Sequence, residues 1–269
     1  MNNFKMFCIC INNNLINKVI KLNYTPVGLG SEKFSKEWLT DKSADSISEK
    51  NKYYGEYTFH YWFWKNMLNQ IPDNQWIGFC AYRRFWSNNK IKVKSNNIYD
   101  SSLSRVPKEW NDYDAIIGDH QNLEQVKWVK VIKYGKRAFL RNPLVFLKNK
   151  RNIRFQFDMF HGNGVLDKAI NQLDDKDRND FRDYVLSNTS FNQGNMFICR
   201  SKKIINEYYI TIFKWLSNCE KIFGFNLEGY GKIRVYAFLA ERFLGYWFKK
   251  NARTLEWPIV FNDLNSEKD

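Results

Sequence analysis

The sequence lacks most of the signatures that announce a function. Of its 269 residues only five are cysteine (Cys8, Cys10, Cys80, Cys199, Cys219) and three are histidine (His60, His120, His161). The cysteines are scattered and odd in number, which fits neither a disulfide framework nor a zinc pattern and suits a reducing, cytoplasmic compartment. The histidines lack a spacing such as HExxH, and Asp158 and His161 in FDMFHG stand alone, so no tightly bound structural metal is expected. There is no GxxxxGK[ST] loop, no GxGxxG fingerprint and no GxSxG elbow, which argues against kinases, Rossmann dehydrogenases and α/β-hydrolases. No Asp-x-Asp follows a strand, so a metal-held sugar nucleotide has no obvious site. No apolar run approaches the ~18 residues of a membrane span. The N-terminus shows no apolar h-region or cleavage site, so no signal peptide is expected. Internal repeats and low-complexity linkers are absent too.

Acidic residues are in short supply: 28 Asp+Glu face 42 Lys+Arg, a formal net charge of +14. Nucleic acid, an anionic membrane and a phosphorylated substrate are the partners such a charge suits. The excess is local. Between Glu124 and Asp158 no acidic residue occurs, while Lys127, Lys130, Lys133, Lys136, Arg137, Arg141, Lys148, Lys150, Arg151 and Arg154 do. Lys127, Lys130, Lys133, Arg137 and Arg141 recur at steps of three and four, which places them on one helix face. With Trp128 beside them they suit the headgroup region of an anionic membrane, or else a solvated helix face over the core. No RNP-like, Cys/His or helix-turn-helix signature supports nucleic-acid binding.

The composition, 44% hydrophobic and 17% aromatic, excludes a disordered chain. Short apolar runs read as strands at 6–11, 75–80, 113–117, 195–199 and 254–261. Helical periodicity reads at 53–68, 165–186, 202–222 and 232–250, and residues 25–50 read as loop. Strands alternating with helices predict an α/β fold with a mostly parallel sheet. A single domain is the simplest organisation. Residues 1–120 would form a nucleotide-binding half, 121–190 a basic helical elaboration, and 191–269 the closing helices.

Four constellations carry chemistry. Tyr82-Arg83-Arg84 stands at the carboxyl end of a predicted strand, where ligands of open α/β sheets bind. A guanidinium fork there matches phosphate oxygens. In an extended segment neighbouring side chains diverge, so one arginine would face the ligand and the other could pair with a carboxylate. Residues 46–66 are rich in aromatics, with Asn51 and Glu56 as polar groups at the start of the predicted helix. Core packing accounts for part of the aromatic content, and stacking on a sugar or base is the alternative. Asp119, in Gly118-Asp119-His120, follows a strand and is either a ligand or an ordinary turn residue. Glu241 lies on an apolar helical line with Phe238, Gly245 and Phe248. It is either ion-paired, with Arg242 or Arg234, or shifted in pKa and suited to a general base.

Four segments also occur in a telling order: DSISEKNKYYGEYTFHYWFWKN, WIGFCAYRRFW, NQGNMFIC and FLAERFLGYW. Together they resemble the bacterial polysaccharide-biosynthesis glycosyltransferases of the DUF4422 type, over roughly Pro26 to Trp247. Two positions depart from the usual pattern: Ala81 stands where relatives often carry His, and Gly55 where they often carry Cys. The resemblance implies a GT-A-like fold, a nucleotide-sugar donor that is UDP-linked, and a lipid-linked or oligosaccharide acceptor. The product would be a capsule, exopolysaccharide or lipopolysaccharide unit, with galactofuranose as one candidate donor sugar. By position, Arg83, Arg84 and Tyr82 would hold the diphosphate. Asn51, Glu56, Tyr61, Lys65 and Asn195 would contact donor or acceptor. Glu241, with Asp119 second, would act as base in an inverting reaction or steady an oxocarbenium-like centre in a retaining one. No cofactor is expected to bind tightly, though Mn or Mg is compatible. Lys127, Trp128, Lys130, Lys133, Arg137 and Arg141 would dock the enzyme on the inner face of the plasma membrane. The alternatives are a non-catalytic glycan- or lipid-binding scaffold and a basic nucleic-acid-binding protein.

Overall fold

The structure is a computed structural model that describes residues 4–90, 97–123, 140 and 151–266. The six membrane-docking candidates, Lys127 to Arg141, lie outside these residues. The chain forms two compact units. One comprises residues 1–119, 194–210 and 247–269, and the other residues 120–193 and 211–246.

The first unit is built on a mixed sheet. Its strands are β1 (Phe4–Cys10), β2 (Thr25–Gly28), β3 (Leu39–Thr40), β4 (Trp76–Ala81), β5 (Arg84–Trp86), β6 (Ala115–Gly118), β9 (Phe197–Cys199), β10 (Thr254–Trp257) and β11 (Ile259–Phe261). The order across the sheet is β10-β6-β9-β4-β1-β2-β3, with β5 paired to β4 and β11 paired to β5. β1 is parallel to β2 and β4, β3 to β2, and β10 to β6. Only β9 breaks the direction of the main path, running antiparallel to both β4 and β6. The sheet is therefore mostly parallel and flanked by helices, as expected.

Alternation along β1 explains how both faces are covered. Phe7 points toward helix α3 (Tyr57–Asn66), where it meets Phe59, Phe63 and, from β4, Phe79 at centroid distances of 5.2–5.7 Å. Met6, Cys8 and Cys10 join the opposite cluster with Leu15, Val19, Trp86, Trp110 and Trp257. All five cysteines are buried and unbridged. Much of the aromatic segment is thus core, with ring pairs that each add about 0.5–1.5 kcal/mol beyond area burial.

Several expected elements differ. The helix predicted over 53–68 is two, α2 (Asn51–Tyr54) and α3, with Leu68 in a separate 3-10 turn. Gly55 divides them at φ 56° and ψ −133°, a conformation costly for any side chain. Residues 25–50 hold two strands besides loop. Pro26 fits β2 because β3 pairs only with Val27 and Gly28, which leaves Pro26 a partner strand on one side only. Arg83 and Arg84 do not share one extended segment. Tyr82-Arg83 is a two-residue turn, and Arg84 opens β5 opposite Ala81.

The second unit contains the ladder of β7 (His120–Asn122) with β8 (Ser190–Asn192) and helices α5 (Ile153–His161), α6 (Val165–Ile170) and α7 (Asp175–Ser187). The single helix predicted over 165–186 is thus α6 and α7. This unit also takes Thr211–Phe223 from α8 (Lys202–Phe223), α9 (Tyr230–Ile233), and Val235–Tyr246 from α10 (Val235–Asn251). Its core joins Phe181 to Trp215 and Phe243, with Trp215 Nε1 donating to the Ala169 carbonyl at 2.7 Å. Among the described residues no helix is long and apolar enough to cross a membrane.

Candidate functional site

The carboxyl edge of the first unit's sheet gathers most of the candidates. β4 ends there at Ala81 and β6 at Gly118, so Tyr82–Arg84 and Asp119 follow. β9 runs the other way, so the residues before it, Gly194 to Met196, reach the same edge. Continuing its register (Ile77 opposite Cys199, Ile117 opposite Phe197) sets Asn195 level with Ala81 on one side and Asp119 on the other. The Asp119 N–H donates to the Trp257 carbonyl at 3.1 Å, fixing the turn after β6.

The two arginines have different fates. Arg83 Nε donates to Asp263 at 2.7 Å, and its guanidinium lies 4.8 Å from the Tyr82 ring centroid. The backbone secures this arrangement, since Asn262 N–H donates to the Arg83 carbonyl and Leu264 N–H to that of Tyr82. Partial desolvation works against ionisation of Asp263, but hydrogen bonds from Asn265 and Arg83 outweigh it and hold the carboxyl below its ordinary range. Arg84 is exposed and makes no ion pair among the described residues. Its Nη1 would lie 3.5 Å from a Cβ placed on Gly194, which adopts φ +83°.

Glu56 sits at the start of α3 because Gly55 turns the chain there. Its Oε1 accepts from Asn195 Nδ2 at 2.8 Å. His60, one turn further along α3, is fully buried with Nδ1 2.8 Å from the Tyr209 hydroxyl. Burial pushes its imidazole down to about 3, against a smaller opposing pull from the Asn195 backbone. Asn51 closes the helix break, its Nδ2 donating to the Gly55 carbonyl and to Thr58 Oγ1, both at 3.0 Å. Asp41, just beyond β3, is buried. Desolvation raises its carboxyl, with the Thr58 hydroxyl opposing.

Tyr61 and Lys65 are not gathered at this edge. Tyr61 donates to Asp45 at 3.1 Å, and the Lys65 ammonium lies 3.7 Å from the Trp64 ring centroid. Lys65 stands nine residues beyond Glu56, about 13 Å down the helix axis. Glu241 belongs to the second unit and is ion-paired. Buried Arg242 donates to Glu241 Oε2 at 2.5 Å and to Gln156 Oε1 at 2.9 Å, with its guanidinium 3.8 Å from the Phe191 ring centroid. Among the described residues no three His, Cys, Asp or Glu side chains gather as metal ligands. Asp263, Gly194, His60 and Gln156 were not singled out from sequence. Their relevance comes from partners far away in the chain, 180 residues for Asp263.

Residues 14–252 match the family described as "Domain of unknown function (DUF4422)". The chain belongs to the DUF4422 family. No match is found among curated proteins. A solved structure to which this DUF4422 chain is similar is the apo form of WbbM, a bifunctional glycosyltransferase. The TM-score is 0.58 at 18% identity, covering 97% of this chain and 45% of that one. The likeness shows that this chain shares its fold with part of that structure. The DUF4422 chain spans less than half the length of WbbM.

Proposed function

We propose that the protein is a glycosyltransferase that moves a hexose from a nucleotide sugar, UDP-linked by our reading, to a growing capsule, exopolysaccharide or lipopolysaccharide glycan. The observation that carries this is Arg84. It is an exposed guanidinium without an ion pair among the described residues, held at the carboxyl edge of the parallel strands. Arg83 beside it is already neutralised by Asp263. Ligands of open α/β sheets bind at this edge, and an arginine fork suits a diphosphate. Arg84 would hold the diphosphate as it gains charge on leaving, a task a positioned donor performs without divalent metal. Asn195 and Glu56 would face the sugar. The basic segment around Lys127 would keep the enzyme peripheral on the inner face of the membrane, beside a lipid-linked acceptor.

A thermal-shift panel of UDP-, GDP- and dTDP-sugars, with Mg²⁺, Mn²⁺ or EDTA, tests the reading. A donor at ~100 times its dissociation constant should stabilise the protein by about 2.7 kcal/mol, with no dependence on metal. Arg84→Ala should weaken that donor by about 1.5–3 kcal/mol, the usual worth of a charged hydrogen bond, and Arg83→Ala much less. Equal tolerance of both substitutions would remove the diphosphate assignment. A protein that binds glycan but turns over no nucleotide sugar would be a scaffold instead.

A further inference from the structure

Glu56 is a carboxylate that the fold builds into the carboxyl edge. The left-handed turn at Gly55 ends α2 and starts α3 anew, which places Glu56 against the segment leading into β9. There Asn195, only 6% exposed, donates to it at 2.8 Å. Gly194, the neighbour of Asn195, approaches Arg84 on the same segment. An exposed guanidinium and an oriented, partly exposed carboxylate therefore stand against neighbouring residues, Gly194 and Asn195, of one short strand entrance. His60 and Tyr209 pack beneath as a neutral, hydrogen-bonded pair. Glu241 lies in the second unit, paired with the buried guanidinium of Arg242 at 2.5 Å.

We infer that Glu56 is the general base of the transfer and that Asn195 is the residue that positions it, a proposal that rests on the glycosyltransferase reading above. The acceptor hydroxyl gives its proton to Glu56 as its oxygen bonds to the anomeric carbon. The bond from that carbon to the diphosphate oxygen breaks, and its electron pair leaves with the nucleoside diphosphate, held by Arg84. One proton moves, one C–O bond forms and one breaks, with inversion at the anomeric carbon.

The test uses the full chain and variants Glu56→Gln, Asn195→Ala, Asp119→Asn and Glu241→Gln. Nucleotide release is measured from UDP-, GDP- and dTDP-hexoses with methyl hexosides as acceptors, and donor binding by thermal shift. Glu56→Gln should bind donor like the wild type and turn over at least ~100-fold more slowly, the low end for loss of a general base. Sodium azide, a nucleophile with no proton to lose, should restore nucleotide release in this variant. Asn195→Ala should lower kcat with the donor KM unchanged. Turnover by Glu56→Gln within threefold of wild type, a matching loss of donor binding, or a loss that azide does not restore each overturns the assignment. So does azide rescue confined to Asp119→Asn or Glu241→Gln. A wild type silent with every donor overturns the transferase reading as well, whereas an active wild type beside an active Glu56→Gln overturns this inference alone.

Discussion

His60 and His161 are buried imidazoles, each pushed down to about 3 chiefly by desolvation. His161 Nδ1 lies 2.8 Å from the Gly231 carbonyl oxygen, and the ring stacks on Phe238 at 4.1 Å. In the unfolded chain each titrates near 6.5. The unfolded state therefore binds more protons between roughly pH 6.5 and 3, so stability falls as pH drops through that window. Each histidine should cost about 1.4 kcal/mol per pH unit there. Asp41 and Asp158, whose carboxyls are raised by burial, act in the opposite sense at the acid end. Urea unfolding at pH 7.5 and 5.5 should show a loss of about 2–3 kcal/mol, roughly halved in His161→Phe. A loss that is the same in this variant would mean that His161 is not one of the groups responsible. At this scale the sequence was informative about identity and silent about pairing. Arg83, Arg84, Glu56 and Asn195 stood out as residue types in context. That Arg83 would be consumed by Asp263, or Glu56 aimed by Asn195 across 139 residues, depends on tertiary contacts that no local pattern encodes.

At the scale of elements, the break between α2 and α3 decides where Glu56 points. The periodic run Tyr54, Tyr57, Tyr61, Trp64 hid that break, because one glycine costs a helix only ~1 kcal/mol and is a weak stop signal. The turn at Tyr82-Arg83 was hidden for a related reason, since YRR carries none of the glycine, asparagine or aspartate that usually marks a tight turn. The strands of 25–40 were masked by Pro26, Gly28 and Gly30, which are common in loops. β1 and β4 were legible because their burial is nearly continuous, and α8 because its buried positions recur at helical spacing; all three form close to where the sequence put them. Gly55→Ala should cost about 1–3 kcal/mol, the price of holding a non-glycine residue in that conformation. Its effect on transfer should exceed its effect on stability, since relaxation toward one continuous helix would swing Glu56 off Asn195. Chemical denaturation beside nucleotide-release kinetics separates the two, and a variant with full stability and full turnover would show the break to be incidental.

For the whole molecule, the net charge of +14 remains the largest property to explain. Two of the ten cations in the basic stretch are accounted for within the second unit. Arg151 is buried and Arg154 is paired with Asp167 at 2.5 Å. The docking proposal therefore falls on the rest. Replacing Lys127, Lys130 and Lys133 by Glu should reduce binding to phosphatidylglycerol vesicles by at least about 3 kcal/mol, at about 1 kcal/mol per basic residue. The melting temperature should stay near its starting value. Sedimentation with vesicles at low and physiological salt reads this directly, and unaltered partitioning would sink the proposal.

The reversed strand β9 also sets a timetable for synthesis. β4 and β6 meet only through it, yet residues 119–196 must leave the ribosome between β6 and β9. Over that interval, on the order of ten seconds at usual elongation rates, the nascent chain presents the apolar edges of β4 and β6 unmatched. Such edges template aggregation. Slow elongation or a holding chaperone over this stretch should therefore govern the yield of native protein more strongly than the stability of the finished sheet.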